Sequence, residues 1–119
     1  MAPRAAAGFP KAARLRRRGE FLAVQRRGES WRLRSFVVIR GAAPLGRTRL
    51  GITVSRRVGK AVVRNRVKRM VREIFRTSMR DHSPAQDILV IARAGAHKLE
   101  YREVAAELGP VFRAARVAT

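Results

Sequence analysis

The stretch that most constrains this chain is Gly59–Met79, GKAVVRNRVKRMVREIFRTSM. Read as a helix, it carries Val63, Val67, Met70, Val71 and Ile74 at i, i+4, i+7, i+8 and i+11, one continuous apolar stripe. A turn of about 100° per residue puts Asn65, Lys68, Arg69, Arg72 and Arg76 on the opposite side, with Arg64 and Arg66 on the flanks. Glu73 is the only acid in the stretch, spaced i, i+4 from Arg69. Solvated helix faces usually mix signs, because like charges three or four residues apart repel by roughly 0.2–0.5 kcal/mol per pair. This helix therefore needs a core on one side and an anion on the other.

The rest of the composition agrees. Lys and Arg number 28 against 8 Asp and Glu, a net charge of +20 on 119 residues. A field of that strength repels itself and calls for a polyanionic partner. Arginine outnumbers lysine, and its planar fork grips phosphates two atoms at a time and stacks on bases, which favours nucleic acid. Hydrophobic residues at 46% are enough to fill one core. The absence of cysteine excludes disulfides, thiolate nucleophiles and cysteine-containing zinc sites. No apolar run approaches the roughly 18 residues of a membrane span, so the expected location is the cytoplasm.

In chain order, residues 1–13 read as a mobile basic tail, and 14–116 as a single domain. Arg14–Arg27 reads as a short basic helix with Leu15, Leu22 and Val24 apolar; Gly19 delays its regular part, and Gly28 stops it. Trp31–Arg40 reads as a strand and Arg49–Arg56 as a second, joined by a turn into an antiparallel hairpin. On the second strand Leu50, Ile52 and Val54 face a core, while Gly51, Thr53 and Ser55 form a small, polar side suited to close approach. Asp87–Arg93, with its Ile88–Ile91 run, reads as a central, doubly covered strand pairing parallel to the Leu50 strand. Glu100–Ala115 reads as a final helix with Tyr101, Val104, Ala105, Leu108 and Phe112 inward and an interruption at Gly109–Pro110. The order predicts an α+β domain: a small mixed sheet of about four strands packed by three helices.

Catalytic chemistry has no foothold. His82 and His97 stand apart from any nucleophile or second metal ligand, the acids are scattered, and no Gly-rich phosphate loop is present. No catalytic or metal-binding residue is assigned, and no cofactor is expected to be held by the protein. The chain binds rather than cuts. On composition alone, a ribosomal or general RNA-binding protein is the alternative. DNA binding and a membrane partner are disfavoured, since the main helix spends its apolar stripe on a core and no recognition-helix unit is visible.

The segment KAVVRNRVKRMVREIFR resembles the signature of the protein component of bacterial ribonuclease P, on Arg64, Asn65, Arg66, Lys68, Arg69 and Arg72. Arg14-Leu15 with Gly19-Glu20-Phe21 resembles that family's first helix. Leu50–Gly59 resembles its strand leading into the basic helix, and Asp87–Arg93 its last strand. The likeness spans roughly Arg14 to Arg113. It implies a βαβ crossover of left-handed sense, a fold similar to the second domain of a small-subunit ribosomal protein, and a role as protein subunit of an endoribonuclease. In that enzyme the RNA subunit, using Mg²⁺, removes the 5′ leader of precursor tRNA. The implied RNA-binding residues are Arg56, Arg57, Lys60, Arg64, Asn65, Arg66, Lys68, Arg69 and Arg72, with the basic helix against the catalytic RNA and close to the substrate. Those to the leader are Phe21, Val37, Ile39 and Thr53, in a cleft between the first helix and the sheet. The chain departs from the family in having Gln25 and Ile39 where aromatics are often found, so leader stacking, with Phe21 as the matching aromatic, is expected to be weaker and more of the grip to come from Arg56, Arg57 and the main helix.

Overall fold

The apolar run Ile88–Ile91 belongs in the middle of a sheet, because both of its faces must be covered, and there it lies. The computed structural model describes residues 14–15, 17–43, 46–78 and 85–113. In order these form helix α1 (Arg18–Arg27), strands β1 (Glu29–Arg32), β2 (Phe36–Ala42) and β3 (Arg49–Val54), helix α2 (Ala61–Ser78), strand β4 (Gln86–Ala92), a 3₁₀ turn (Ala96–Lys98) and helix α3 (Tyr101–Arg113). The expected tail at 1–13, most of the loop before β4 and residues 114–115 of the last helix lie outside the described residues.

The sheet order is β1-β2-β4-β3. β2 runs antiparallel to β4 from Phe36↔Ala92 to Ala42↔Gln86, and β3 runs parallel to it from Arg49↔Asp87 to Val54↔Ala92. The expected hairpin between residues 31–40 and 49–56 is thus incorrect: β4 separates them. The reason lies in the side chains. Gly51 and Thr53 leave β3 thinly covered on one face, which suits an edge, whereas β4 is apolar on both. The single strand expected at Trp31–Arg40 is also two strands, β1 and β2, paired antiparallel around a turn closed by Leu33 N–H donating to the Phe36 carbonyl at 2.8 Å.

One sheet face carries the main core. Phe36, Val38, Leu50, Val54, Ile88 and Val90 pack there against Val67, Met70, Val71 and Ile74 of α2 and Val104, Leu108, Val111 and Phe112 of α3. Of the stripe read on α2, Val67, Met70, Val71 and Ile74 are buried and Val63 is half-buried; Phe75 widens it, and its ring meets that of Phe112 edge-on at 5.5 Å. α3 buries Val104, Leu108 and Phe112 as expected and packs Ala105 against the core, but Tyr101 is 44% exposed, Val111 is buried as well, and the helix continues through Pro110. Arg40 is wholly buried on this face. Its Nε donates to Gln86 Oε1 at 2.6 Å, Nη1 donates to the Val111 carbonyl near the end of α3 at 2.7 Å, and its guanidinium carbon lies 5.6 Å from the Trp31 ring centre. Burial pushes its pKa below the ordinary arginine value, opposed by the charge of Glu29, and a guanidinium remains cationic at neutral pH.

The other face is covered only in part, by α1. Val24 of α1 and Leu15 pack on Ile39 and Leu89. Gly28 ends the helix where nothing larger fits, since a Cβ there would stand 2.6 Å from Ile39 Cγ2. Arg14 and Leu15 precede the helix rather than open it: they form a single parallel bridge to the free edge of β3, Leu15 N–H donating to the Leu50 carbonyl at 2.9 Å. Leu22 faces outward at 39% exposure.

Candidate nucleic-acid interface

With Val67, Met70, Val71, Ile74 and Phe75 buried, the polar side of α2 is committed to solvent. Asn65, Arg66, Arg69 and Arg76 are exposed there, and Lys68 and Arg72 are half-buried. Arg56 and Arg57 stand exposed in the turn after β3, and Lys60 is exposed just before the helix. The two flanking arginines are oriented by backbone carbonyls: Arg64 Nε donates to Gly59 O at 3.1 Å, and Arg66 donates to His97 O and Leu99 O at 3.3 and 3.4 Å. The one acid, Glu73, pairs with Arg76 rather than with Arg69, and both side chains are more than two-fifths exposed. Burial first, then the charges of Arg14 and Arg69, lowers the pKa of Arg72 from its ordinary value. Like charges are thus gathered at this point, and an anion placed among them would relieve the repulsion.

Arg72 and Lys68 also line a cavity of about 250 Å³ with Arg14, Leu15, Leu50, Ile52 and Phe21. It opens beside the edge strand β3. The basic side of α2 and the ring of α1 singled out in the sequence therefore share one opening, although they pack over opposite sheet faces.

On the α1 side the register places residues in rows. Arg32, Val37, Ile91 and Thr53 stand abreast across β1, β2, β4 and β3. Arg32 is exposed and the other three are half-buried. The next row, with Ile39, Leu89 and Gly51, is buried. The open row and Phe21 leave a partly exposed, largely apolar strip beside α1. Val37, Thr53 and Phe21 of the expected cleft set lie there. Ile39 does not: at 6% exposure it packs beneath α1 with Val24 and Gly28, and Ile91 holds the open position instead. The placement of Ile91 follows from the β2–β4 pairing, which a single-strand reading does not supply. Gly51 is where the close approach expected of this strand occurs: a Cβ would lie 2.8 Å from Leu15 Cβ and 3.0 Å from Phe21 Cε1. The approaching groups are the chain's own side chains.

A set of charges missed in the sequence ties α1 to the sheet. Arg49 opens β3 and Asp87 lies near the start of β4, and they are register partners. Arg49 Nε and Nη2 donate to the two carboxylate oxygens of Asp87 at 3.0 and 2.9 Å, and Nη1 donates to Glu20 Oε2 at 2.7 Å. Arg27 Nη2 reaches the same Asp87 Oδ2 at 3.1 Å. The hydrogen bond to Asp87 is the largest of the effects that raise the Arg49 pKa, against the opposing effect of burial. The signal was present as a lone charge near the start of each of two parallel apolar strands.

The chain compares closely with proteins of known identity. The family model for ribonuclease P matches residues 9–116. The ribonuclease P protein component of Desulforapulum autotrophicum is 45% identical over 105 residues, covering 88% of this chain and 90% of that one. That of Staphylococcus haemolyticus is 39% identical over 107 residues, covering 90% and 93%. The Staphylococcus aureus RNase P protein structure superposes with a TM-score of 0.79 at 35% identity, covering 92% of this chain and all of that one. The Thermotoga maritima RNase P protein, solved with 1-(4-fluorophenyl)-2-thiourea, gives 0.77 at 36% identity, covering 87% of this chain. Fold, basic helix and these likenesses agree, and the chain belongs to the ribonuclease P protein family: it is the RNA-binding protein component of a tRNA-processing endoribonuclease.

Proposed function

We propose that this protein binds the catalytic RNA of ribonuclease P through the outer side of α2 and holds the 5′ leader of precursor tRNA along the strip of sheet beside α1. The observation that carries this reading is the shared opening at the edge of β3, where Lys68 and Arg72 meet Phe21. Phosphates of the catalytic RNA neutralise Arg69, Arg72, Lys68, Arg64 and Arg66 and the neighbouring Arg56, Arg57 and Lys60, releasing counterions, and Asn65 donates a hydrogen bond among them. The leader lies over Val37, Ile91 and Thr53, with a base stacked on Phe21. Bringing leader and catalytic RNA together raises their effective concentration and lowers the Mg²⁺ needed for cleavage.

Cleavage itself is assigned to the RNA, which uses Mg²⁺ in the cytoplasm. The protein's own residues do not fit a metal centre: among the described residues no three His, Asp or Glu side chains gather, and Glu20 and Asp87 face guanidinium groups. No step is therefore routed through its carboxylates. Among the described residues no helix is long and apolar enough to cross a membrane.

The test is cleavage of a precursor tRNA at low Mg²⁺ by a bacterial ribonuclease P RNA, with and without the protein. Restored 5′ maturation supports the reading. Binding to the RNA with unchanged cleavage would make this a general RNA-binding protein instead.

A further inference from the structure

α1 is held to the sheet by little apolar contact. Among its described residues only Val24 is fully buried, and the cluster beneath it comprises four buried side chains. Its attachment is instead charged and two-pointed. Glu20, in the first turn, accepts from Arg49 at 2.7 Å. Arg27, the last residue of the helix, donates to Asp87 at 3.1 Å and to the Ala42 carbonyl at 3.1 Å. The two tethers are seven residues or about 10 Å apart along the axis. They converge on one carboxylate, because Arg49 is itself clamped to Asp87 by two bonds. Asp87 is 1% and Arg49 8% exposed, so the centre of the set is dry.

Two of the chain's eight acids are placed here, in a molecule of net charge +20. A buried charge set of this kind contributes little net stability compared with apolar packing, but its directional bonds admit few geometries. Glu20 also accepts the Arg17 N–H through its other oxygen at 3.1 Å, which fixes the start of the helix. The next residue is Phe21, whose ring edge rests over Gly51.

We propose that Glu20, Arg49, Asp87 and Arg27 are positioning residues that set the seat of α1 on the sheet, and through it the placement of Phe21 against the leader. This rests on the leader reading above. None of the four need touch the RNA for the effect: the network acts through the helix.

The experiment uses the full chain reconstituted with a bacterial ribonuclease P RNA. Glu20→Met and Arg27→Met each cut one tether at a partly exposed side chain and leave the Arg49–Asp87 clamp intact. Each should raise KM for a leader-bearing precursor tRNA about fivefold, with kcat and affinity for the ribonuclease P RNA unchanged. Amide exchange in α1 should accelerate while that in α2 and α3 stays as it was. In a Phe21→Ala background neither substitution should raise KM further. If α1 exchange accelerates but KM stays put while Phe21→Ala alone raises it, the positioning role is wrong. KM effects that add to that of Phe21→Ala, or losses that track RNA affinity, would overturn it too. A silent Phe21→Ala would instead sink the leader reading on which the proposal stands.

Discussion

The two faces of the sheet are built by different means. The face under α2 and α3 buries 18 hydrophobic residues in one cluster among the described residues, with Phe75 and Phe112 meeting edge-on. The face under α1 buries four and leaves an adjacent row partly open. Apolar area supplies stability at roughly 25 cal/mol per Å² without fixing direction, whereas ion pairs with good geometry fix direction and add little. The first face therefore holds the fold, and the second holds the shape of the strip beside α1. The functional surface spans both: its cations stand on the outer side of the core-forming helix, and its ring stands on the loosely covered side.

This contrast can be broken by mutation, and the largest effect is expected on the first face. Phe112→Ala should cost about 3–5 kcal/mol, a large fraction of the stability of a domain of this size. A loss under 1 kcal/mol by denaturant titration would mean the core is less closed than described. Gly51→Val should cost less, about 1–3 kcal/mol, because Leu15 and Phe21 must shift to admit the side chain. Affinity for leader-bearing substrate should fall while affinity for the catalytic RNA holds. Equal losses in both would show that the two faces are not separable. Arg69→Ala, on an exposed side chain of α2, should leave melting unchanged and weaken RNA assembly, flattening the log–log salt dependence by about one unit. The smallest effect is at Glu73→Gln. Its ion pair with Arg76 is exposed, so stability should move by less than about 0.5 kcal/mol. RNA affinity should rise slightly as the one acid on the helix is removed, and a fall in affinity would place Glu73 in a contact of its own.

What could be read in the sequence follows the same division. The α2 stripe was legible because helical periodicity repeats over about three turns from Val63 to Ile74, and the parallel β3–β4 pairing because an apolar run follows a helix. The α1 side was not. Strand order depended on β4 inserting between β2 and β3, a long-range pairing with no local mark. Ile39 was assigned by resemblance and lies on the same face as Val37, but α1 covers it; Ile91 comes abreast of Val37 only through the β2–β4 pairing. The Arg49–Asp87–Glu20 set joins residues far apart in sequence, and nothing in the strand pattern marks Arg40 as wholly buried against α3. Charged residues look alike in a sequence whether they are solvated or enclosed, and the register decides which.

The most direct test is the ratio of affinities for a precursor tRNA and the corresponding mature tRNA, measured at fixed salt on the ribonuclease P RNA with and without the protein. If the strip beside α1 holds the leader, the protein raises the ratio, and Phe21→Ala returns it toward that of the RNA alone. If the protein strengthens binding of both tRNAs equally, its role ends at neutralising the catalytic RNA, and the strip beside α1 is no leader site.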